Sequence, residues 1–409
     1  MSKVWKTSCG IDVQVGTSEI KSEIPKLFQS LAAQQAKQFH CQMDGYEKTR
    51  LVRLKNLANQ LGVKDIFVKN ESERFGLNAF KGLGGSYAMF CILCEKLCFN
   101  PEEVSLTDLK TEEAQKVIRD MVFVTATDGN HGRGVSWAGG IFGCQVHVYM
   151  PAGSAEVRAE AIRKAGPAKV TITDMNYDQT VSYAKEQSDK NGWCLIQDTA
   201  WEGYEQIPSW IVQGYLTMAL EITEELEALH IKPTHLFLQA GVGAMAGGVL
   251  GYFADYYGTQ KPVTVVVEPQ EANCIYQSVQ IADGDLHQVD GNPVTIMAGL
   301  NCGTPCGITW PILRDYAEYY ISCKDYVAAH GMRRYATPVG DDEKIVSGES
   351  GAVTLGALDL LLTSEDAKDV CEQMGLNKDS VVLLINTEGD TDPANYIDVV
   401  ENGAYPVEA

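Results

Sequence analysis

The chain has 409 residues, with 54 acidic against 33 basic side chains and a formal net charge of -21. A surface this acidic repels phosphate backbones and anionic headgroups, which sets aside nucleic acid and membrane surfaces as partners. The length allows a large core and two domains, and no apolar run reaches the roughly 20 residues that span a bilayer.

The opening stretch MSKVWKTSCGIDVQVG has no continuous apolar segment. It predicts no secretory signal, and a cytoplasmic protein is expected. Beyond it, short β-branched runs alternate with longer helical patterns. Strands are predicted at DIFVKN (65–70), MVFVTAT (121–127), QVHVYMP (145–151), KVTITD (169–174), CLIQD (194–198), THLFLQA (234–240), VTVVVEP (263–269) and VVLLINTEG (381–389). Most are nearly unbroken apolar runs, as expected of parallel strands covered on both faces. Helical stretches such as YAMFCILCEKL and QGYLTMALEITEELEAL lie between them, so the pattern predicts a doubly wound α/β fold. The expected division is a large domain, 1–119 with 200–409, and a smaller one, 120–199. The polar segment from Asn100 to Asp120 predicts surface helix at a passage between domains. Twelve scattered cysteines read as small buried hydrophobes of a reducing compartment. Cys91, Cys94 and Cys98 share one face of a predicted helix. That face is apolar and has no histidine nearby, so packing is expected and no metal site is predicted. Cys302 and Cys306, in NCGTPCG, read as a turn in preference to a redox pair.

Ligands of open parallel sheets bind beyond the carboxyl ends of the strands, and the unusual residues stand there, in four loops expected to converge on one crevice. In GVGAMAGG, a strand meets a glycine loop and then a helix, a cradle for phosphate. The spacing of Gly241, Gly243 and Gly247 departs by one residue from the dinucleotide fingerprint. Glu268 nevertheless ends the next strand, where a ribose-binding acid would sit, so a nicotinamide cofactor competes. Lys81, in NAFKGLGG, opens a helix between Phe80 and glycines. Burial favours the neutral amine that attacks an aldehyde, which suggests a Schiff base, although Lys81 alone reads as a surface lysine. In TATDGNHGRG the hydroxyls, Asn130 and the loop amides would make a fork for a carboxylate. Asp128 is a poor companion for an anion unless the ligand also carries an ammonium; helix capping is the competing explanation. His131 reads as a hydrogen-bonded structural residue. Asp198, ending CLIQD, is expected to recognise or deprotonate substrate, with capping again a competitor.

Taken in chain order, NAFKGLGG, ATDGNHG, GVGAMAGG, SGESGAV and NTEGDTD resemble the pyridoxal phosphate enzymes of the tryptophan synthase β type, fold type II. This group includes threonine and serine dehydratases, serine racemase and cysteine synthase. The resemblance runs from about Asp65 to Asp392. It implies two doubly wound α/β domains with the active site in the cleft between them, and pyridoxal 5'-phosphate as cofactor. By resemblance, Lys81 would bind the cofactor covalently and Phe80 would pack on its ring. Gly241, Val242, Gly243, Ala244 and Met245 would hold its phosphate. Asn130 would contact the ring hydroxyl, Thr387 the ring nitrogen (with Asn386 as alternative), and Thr127 and His131 the substrate carboxylate. The chain departs from the family at Asp128, where serine racemase-like members carry a serine acting on the face opposite the lysine. ATDGNHGRG, QDTAWEGY and NTEGDTDP resemble the branch that eliminates ammonia from 2,3-diaminopropionate to give pyruvate. Asp128 and Asp198 would then partner the second amine. Lys81 would serve as base for the L-isomer and Asp128 for the D-isomer. A serine or threonine dehydratase or racemase on the same fold is the alternative, and a nicotinamide oxidoreductase the more distant one. The resemblance also implies a homodimer.

Overall fold

The computed structural model describes residues 3–16, 22–289, 291 and 293–407 and resolves the chain into two compact units. The first comprises Met1–Ser30, Thr49–Glu73 and Met218–Ala409; the second comprises Leu31–Lys48 and Arg74–Thr217.

The first unit is built on an eight-stranded sheet. Its strands are β1 (Val4–Lys6), β2 (Ile11–Val15), β3 (Leu51–Arg53), β4 (Asp65–Asn70), β9 (His235–Gln239), β10 (Val263–Pro269), β11 (Tyr319–Cys323) and β12 (Val381–Asn386). The order is β1-β2-β11-β10-β9-β12-β4-β3. The five strands from β11 to β4 pair in parallel, while β1, β2 and β3 add antiparallel edges. The central strands are buried along their whole length, which explains the apolar runs of β9 and β12; β4 also buries Asp65, Lys69 and Asn70. β11 is absent from the strands predicted above, because its sequence, YYISC, relies on aromatic and cysteine side chains to bury the run. β1 to β3 escape because three to five residues at a sheet edge carry little period.

The second unit holds a four-stranded all-parallel sheet of β5 (Val122–Ala126), β6 (Gln145–Met150), β7 (Ala168–Ile172) and β8 (Cys194–Leu195), in the order β7-β6-β5-β8. The predicted 120–199 domain falls inside this unit. The unit also takes in the Gly82–Leu97 helix, and therefore Lys81. The polar 100–120 segment forms the short helices Leu106–Leu109 and Glu112–Ile118 within the same unit and is not a passage between the two.

None of the twelve cysteines is joined in a disulfide. Cys91 and Cys94 pack inside, but Cys98 is exposed: it ends its helix in the left-handed conformation and leaves the predicted apolar face. Among the described residues no helix is long and apolar enough to cross a membrane, and no group of His, Cys, Asp and Glu could hold a metal ion.

Candidate active site

In the second unit, β5 and β8 are parallel neighbours. Their carboxyl ends deliver Thr127–Asp128 and Gln197–Asp198 on the same side of the sheet. Gln197 ties the ends together, its Oε1 accepting from Ala126 N at 3.0 Å and Thr125 Oγ1 at 3.2 Å. The Tyr204 hydroxyl fixes the second end, accepting from Gln197 N at 2.8 Å and donating to Leu195 O at 3.1 Å. The loop after β5 is ordered by Thr127, whose Oγ1 accepts from Gly129 N at 2.9 Å and Gly132 N at 3.2 Å. The Asn130–Phe142 helix follows, with Gly129 as its N-cap and no side-chain cap bond. Asp128, half-buried, is therefore not the cap of this helix.

Lys81 precedes the Gly82–Leu97 helix. The approach of the two helices is set by glycine: a Cβ on Gly134 would lie 2.9 Å from Gly82 Cα and 3.0 Å from the Lys81 carbonyl carbon. That closeness brings the Lys81 side chain to the end of β8, where its Nζ donates to Asp198 Oδ2 at 2.7 Å. The two side chains are 17% and 10% exposed, so the pair is largely shielded from water. Burial opposes the ammonium, but Asp198, Tyr215 and Asp128 outweigh it and raise the Lys81 pKa. Burial likewise opposes the Asp198 carboxylate. The Lys81 charge and the Lys81 hydrogen bond prevail, and hold its pKa at about 2. Asp198 does not cap a helix either, since the next one starts only at Gln206. His131 is 1% exposed, with Nε2 2.8 Å from Ile196 O and Nδ1 3.8 Å from Asp198 Oδ2. The Phe80 ring is buried 4.8 Å from that of Tyr215.

The first unit contributes a second constellation. β9 runs into Ala240–Gly243, and the Ala244–Tyr257 helix starts there with Gly243 as N-cap at φ +86°. No side chain caps this helix. The first-turn amides of a helix have no acceptor within it and point outward as anion donors. The loop is wedged from behind: Cys306 N donates to Val242 O at 2.7 Å, and a Cβ on Gly243 would lie 2.7 Å from Leu313 Cδ1. β12 is the neighbour of β9, and Thr387 lies just past its end, its Oγ1 accepting from Gln239 Nε2 at 3.0 Å. Thr387 keeps its hydroxyl hydrogen for a further acceptor. Asn386 has its amide committed instead: Nδ2 donates to Asn70 Oδ1 and Val346 O, and Oδ1 accepts from Ser347 Oγ at 2.7 Å. Glu268 is fully buried and caps the Cys274–Ile281 helix, accepting from Ile275 N at 2.9 Å and Tyr276 N at 2.7 Å. It is occupied by its own backbone and is not a ribose-binding acid.

Gln197, Tyr204 and Ser347 were not singled out from the sequence. Their one signal is polar residues beside buried apolar runs, as in LIQD, which any loop can imitate.

The sequence matches the family described as pyridoxal-phosphate dependent enzyme over residues 43–387, and the chain belongs to that family. It is 50% identical over 385 residues to the diaminopropionate ammonia-lyase of Escherichia coli (strain K12), covering 94% of this chain and 95% of that one. It resembles the crystal structure of the holo diaminopropionate ammonia lyase from Escherichia coli with a TM-score of 0.92 and 48% identity, covering 98% of this chain and 100% of that one. The same enzyme in complex with D-serine gives a TM-score of 0.91 at 48% identity, covering 97% and 98%. Membership of this family removes the nicotinamide reading. Each constellation, taken within its own unit, fits a part of pyridoxal phosphate: an uncapped helix N-terminus behind a glycine loop suits the phosphate, and a shielded lysine suits the aldehyde.

Proposed function

We propose that the chain uses pyridoxal phosphate to eliminate ammonia from 2,3-diaminopropionate, in both its L and D forms, yielding pyruvate and a second ammonia. One observation carries the choice of substrate. Asp198, 2.7 Å from Lys81 Nζ, and Asp128 both act on the Lys81 cation, so negative charge is gathered around the reactive amine. A substrate with a second ammonium answers that charge, whereas serine offers a neutral hydroxyl. Relatives of 50% identity that are diaminopropionate ammonia-lyases support the same reading.

When bound, pyridoxal phosphate supplies an electron sink for the charge left at the substrate Cα. The chain does the rest. Lys81 would provide the amine that holds the cofactor and, as base, would accept the Cα proton of the L-isomer at Nζ. Asp128 accepts the corresponding proton of the D-isomer. The Cβ–N bond breaks, the second amine leaves as ammonia, and hydrolysis of the released enamine gives pyruvate and the other ammonia. The amides of Gly241 to Met245 would hold the phosphate, Phe80 would pack against the cofactor ring, and Asn130 would meet the ring hydroxyl. Thr387 would meet the ring nitrogen, a role better suited to its uncommitted hydrogen than to Asn386. A neutral partner there avoids overstabilising the carbanion and so suits elimination. Thr127 shapes the loop that receives the substrate carboxylate. Asp198 anchors the second ammonium. At ~4 Å such a pair is worth about 1 kcal/mol in water-like surroundings and about 4 kcal/mol at intermediate dielectric.

The proposal extends to a cytoplasmic homodimer. Twelve cysteines without a disulfide suit a reducing compartment, and the dimer follows the family resemblance; sedimentation of the purified protein tests the latter. The experiment for the activity is pyruvate release from both enantiomers of 2,3-diaminopropionate and of serine. Both diaminopropionate isomers should be used, each with kcat/KM about tenfold or more above serine. A preference for serine or threonine would make the chain a dehydratase.

A further inference from the structure

We propose that His131 holds the proton Lys81 must give up before its amine can bond to carbon, receiving it at Nδ1 by way of the Asp198 carboxylate. The inference rests on the reading of Lys81 as the cofactor lysine. Its starting point is an orphan. His131 Nδ1 is buried without a hydrogen-bond partner, and it points at Asp198 Oδ2 from 3.8 Å. The tautomer follows from the other nitrogen. Nε2 lies 2.8 Å from Ile196 O, a carbonyl that can only accept, so Nε2 carries the hydrogen and Nδ1 presents a lone pair. Two acceptors, Nδ1 and Oδ2, therefore face one another in a largely buried place, an arrangement that lacks a proton.

Lys81 Nζ supplies one from the other side, 2.7 Å from the same Oδ2. The titratable groups facing His131 are Asp198, Lys81 and Asp128. In the state described, burial and the Lys81 cation disfavour an imidazolium and outweigh the attraction of the two acids. Removing the Lys81 charge ends its repulsion and leaves Asp198 a buried carboxylate without a cation, which is strongly unfavourable. Moving one proton from Nζ across Oδ2 to Nδ1 resolves both. The N–H bond at Lys81 breaks, one forms at Nδ1, and the group passes from lysine cation plus carboxylate to carboxylate plus imidazolium, with the same net charge. The return of the proton resets Lys81. His131 thus acts through Asp198 as a positioning residue, and its neutral state and its orphan nitrogen belong to one device.

The test uses the full-length protein without cofactor, labelled with 15N-histidine and assigned by His131→Asn. In the wild type at pH 7, His131 should be neutral with Nε2 protonated. In Lys81→Met, which removes the cation and keeps the bulk, His131 should bind its proton at least about tenfold more tightly, a pKa rise of about one unit or more. A wild-type His131 carrying hydrogen on Nδ1, or an unchanged titration in Lys81→Met, overturns the proposal. As a second measurement, pyridoxal phosphate should attach to His131→Asn about tenfold or more slowly than to wild type at pH 7, with recovery at higher pH. Equal attachment rates at every pH also overturn it. If wild-type Lys81 takes up no pyridoxal phosphate, the cofactor reading itself fails, a result that the histidine titration cannot imitate.

Discussion

Gly134 and Gly82 meet backbone to backbone, with room for no Cβ: one built on Gly134 would stand 2.9 Å from Gly82 Cα. Through this contact the helix that opens at Asn130 fixes the chain at Lys81. Gly134→Ala should cost about 1–3 kcal/mol by overpacking, because the opposing atoms are backbone and cannot turn aside. Gly140→Ala, in the same helix, has its nearest atom at 3.6 Å and should be neutral or slightly stabilising. Thermal unfolding of the two variants checks the contrast, and similar melting temperatures would mean that the helices can separate without consequence.

The glycine loop in the first unit makes a separate prediction. Gly243→Asp, at an uncapped helix start proposed to hold phosphate, would set its Cβ 2.7 Å from Leu313 Cδ1 and 2.9 Å from Ile275 Cδ1, at a φ of +86° that side chains rarely adopt. The loop must shift to admit it, so pyridoxal phosphate affinity should fall about tenfold or more. Gly243→Ala meets the same two side chains at the same φ and should lose affinity in the same direction. Titration by absorbance compares both with wild type; unchanged affinity in both variants would remove the phosphate from this loop.

Burial lifts the Glu268 carboxyl from 4.5 to about 8, against the Ile275 and Tyr276 amides and the Cys274 thiol, which pull it down. The folded protein then binds a proton here that the unfolded chain releases. The stabilisation is complete below pH 4.5 and is lost as pH rises through about 8. Between those limits wild-type stability should fall by up to about 1.4 kcal/mol per pH unit relative to Glu268→Gln. Denaturant unfolding of both proteins at pH 5, 6.5 and 8 reads the difference, and parallel curves would contradict it.

Asp128→Asn keeps the size of the side chain and removes its basicity. If Asp128 is the base for the D-isomer, D-diaminopropionate turnover should drop by about 10²–10⁴-fold. The L-isomer retains Lys81 and should lose less, partly through KM. Equal losses confined to KM would reduce Asp128 to an anchor for the second ammonium.

Much of this was legible in the sequence because the sheets are parallel and buried. β9, β10 and β12 announce themselves as nearly unbroken apolar runs, and their carboxyl ends carry the glycine loop, Glu268 and Thr387. Lys81 and Asp198 could each be singled out, but their 2.7 Å contact could not. It depends on Gly134 and Gly82 permitting a helix approach that no local pattern encodes. Glu268 misled for a related reason. An acid at a strand end looks the same whether it faces a ribose or, as here, the amides of Ile275 and Tyr276. β11 was hidden by composition: YYISC is buried throughout, yet only one of its five residues is β-branched. The orphan nitrogen of His131 has no sequence signature at all, since it exists only in relation to Ile196 and Asp198.

The central claim is that Lys81, shielded and paired with Asp198, is the residue that takes the cofactor. Borohydride reduction of the protein loaded with pyridoxal phosphate, followed by peptide mapping, tests it directly. The account predicts a single pyridoxyl label, on the peptide carrying Lys81, and neither label nor turnover in Lys81→Ala. A label on any other lysine would contradict it.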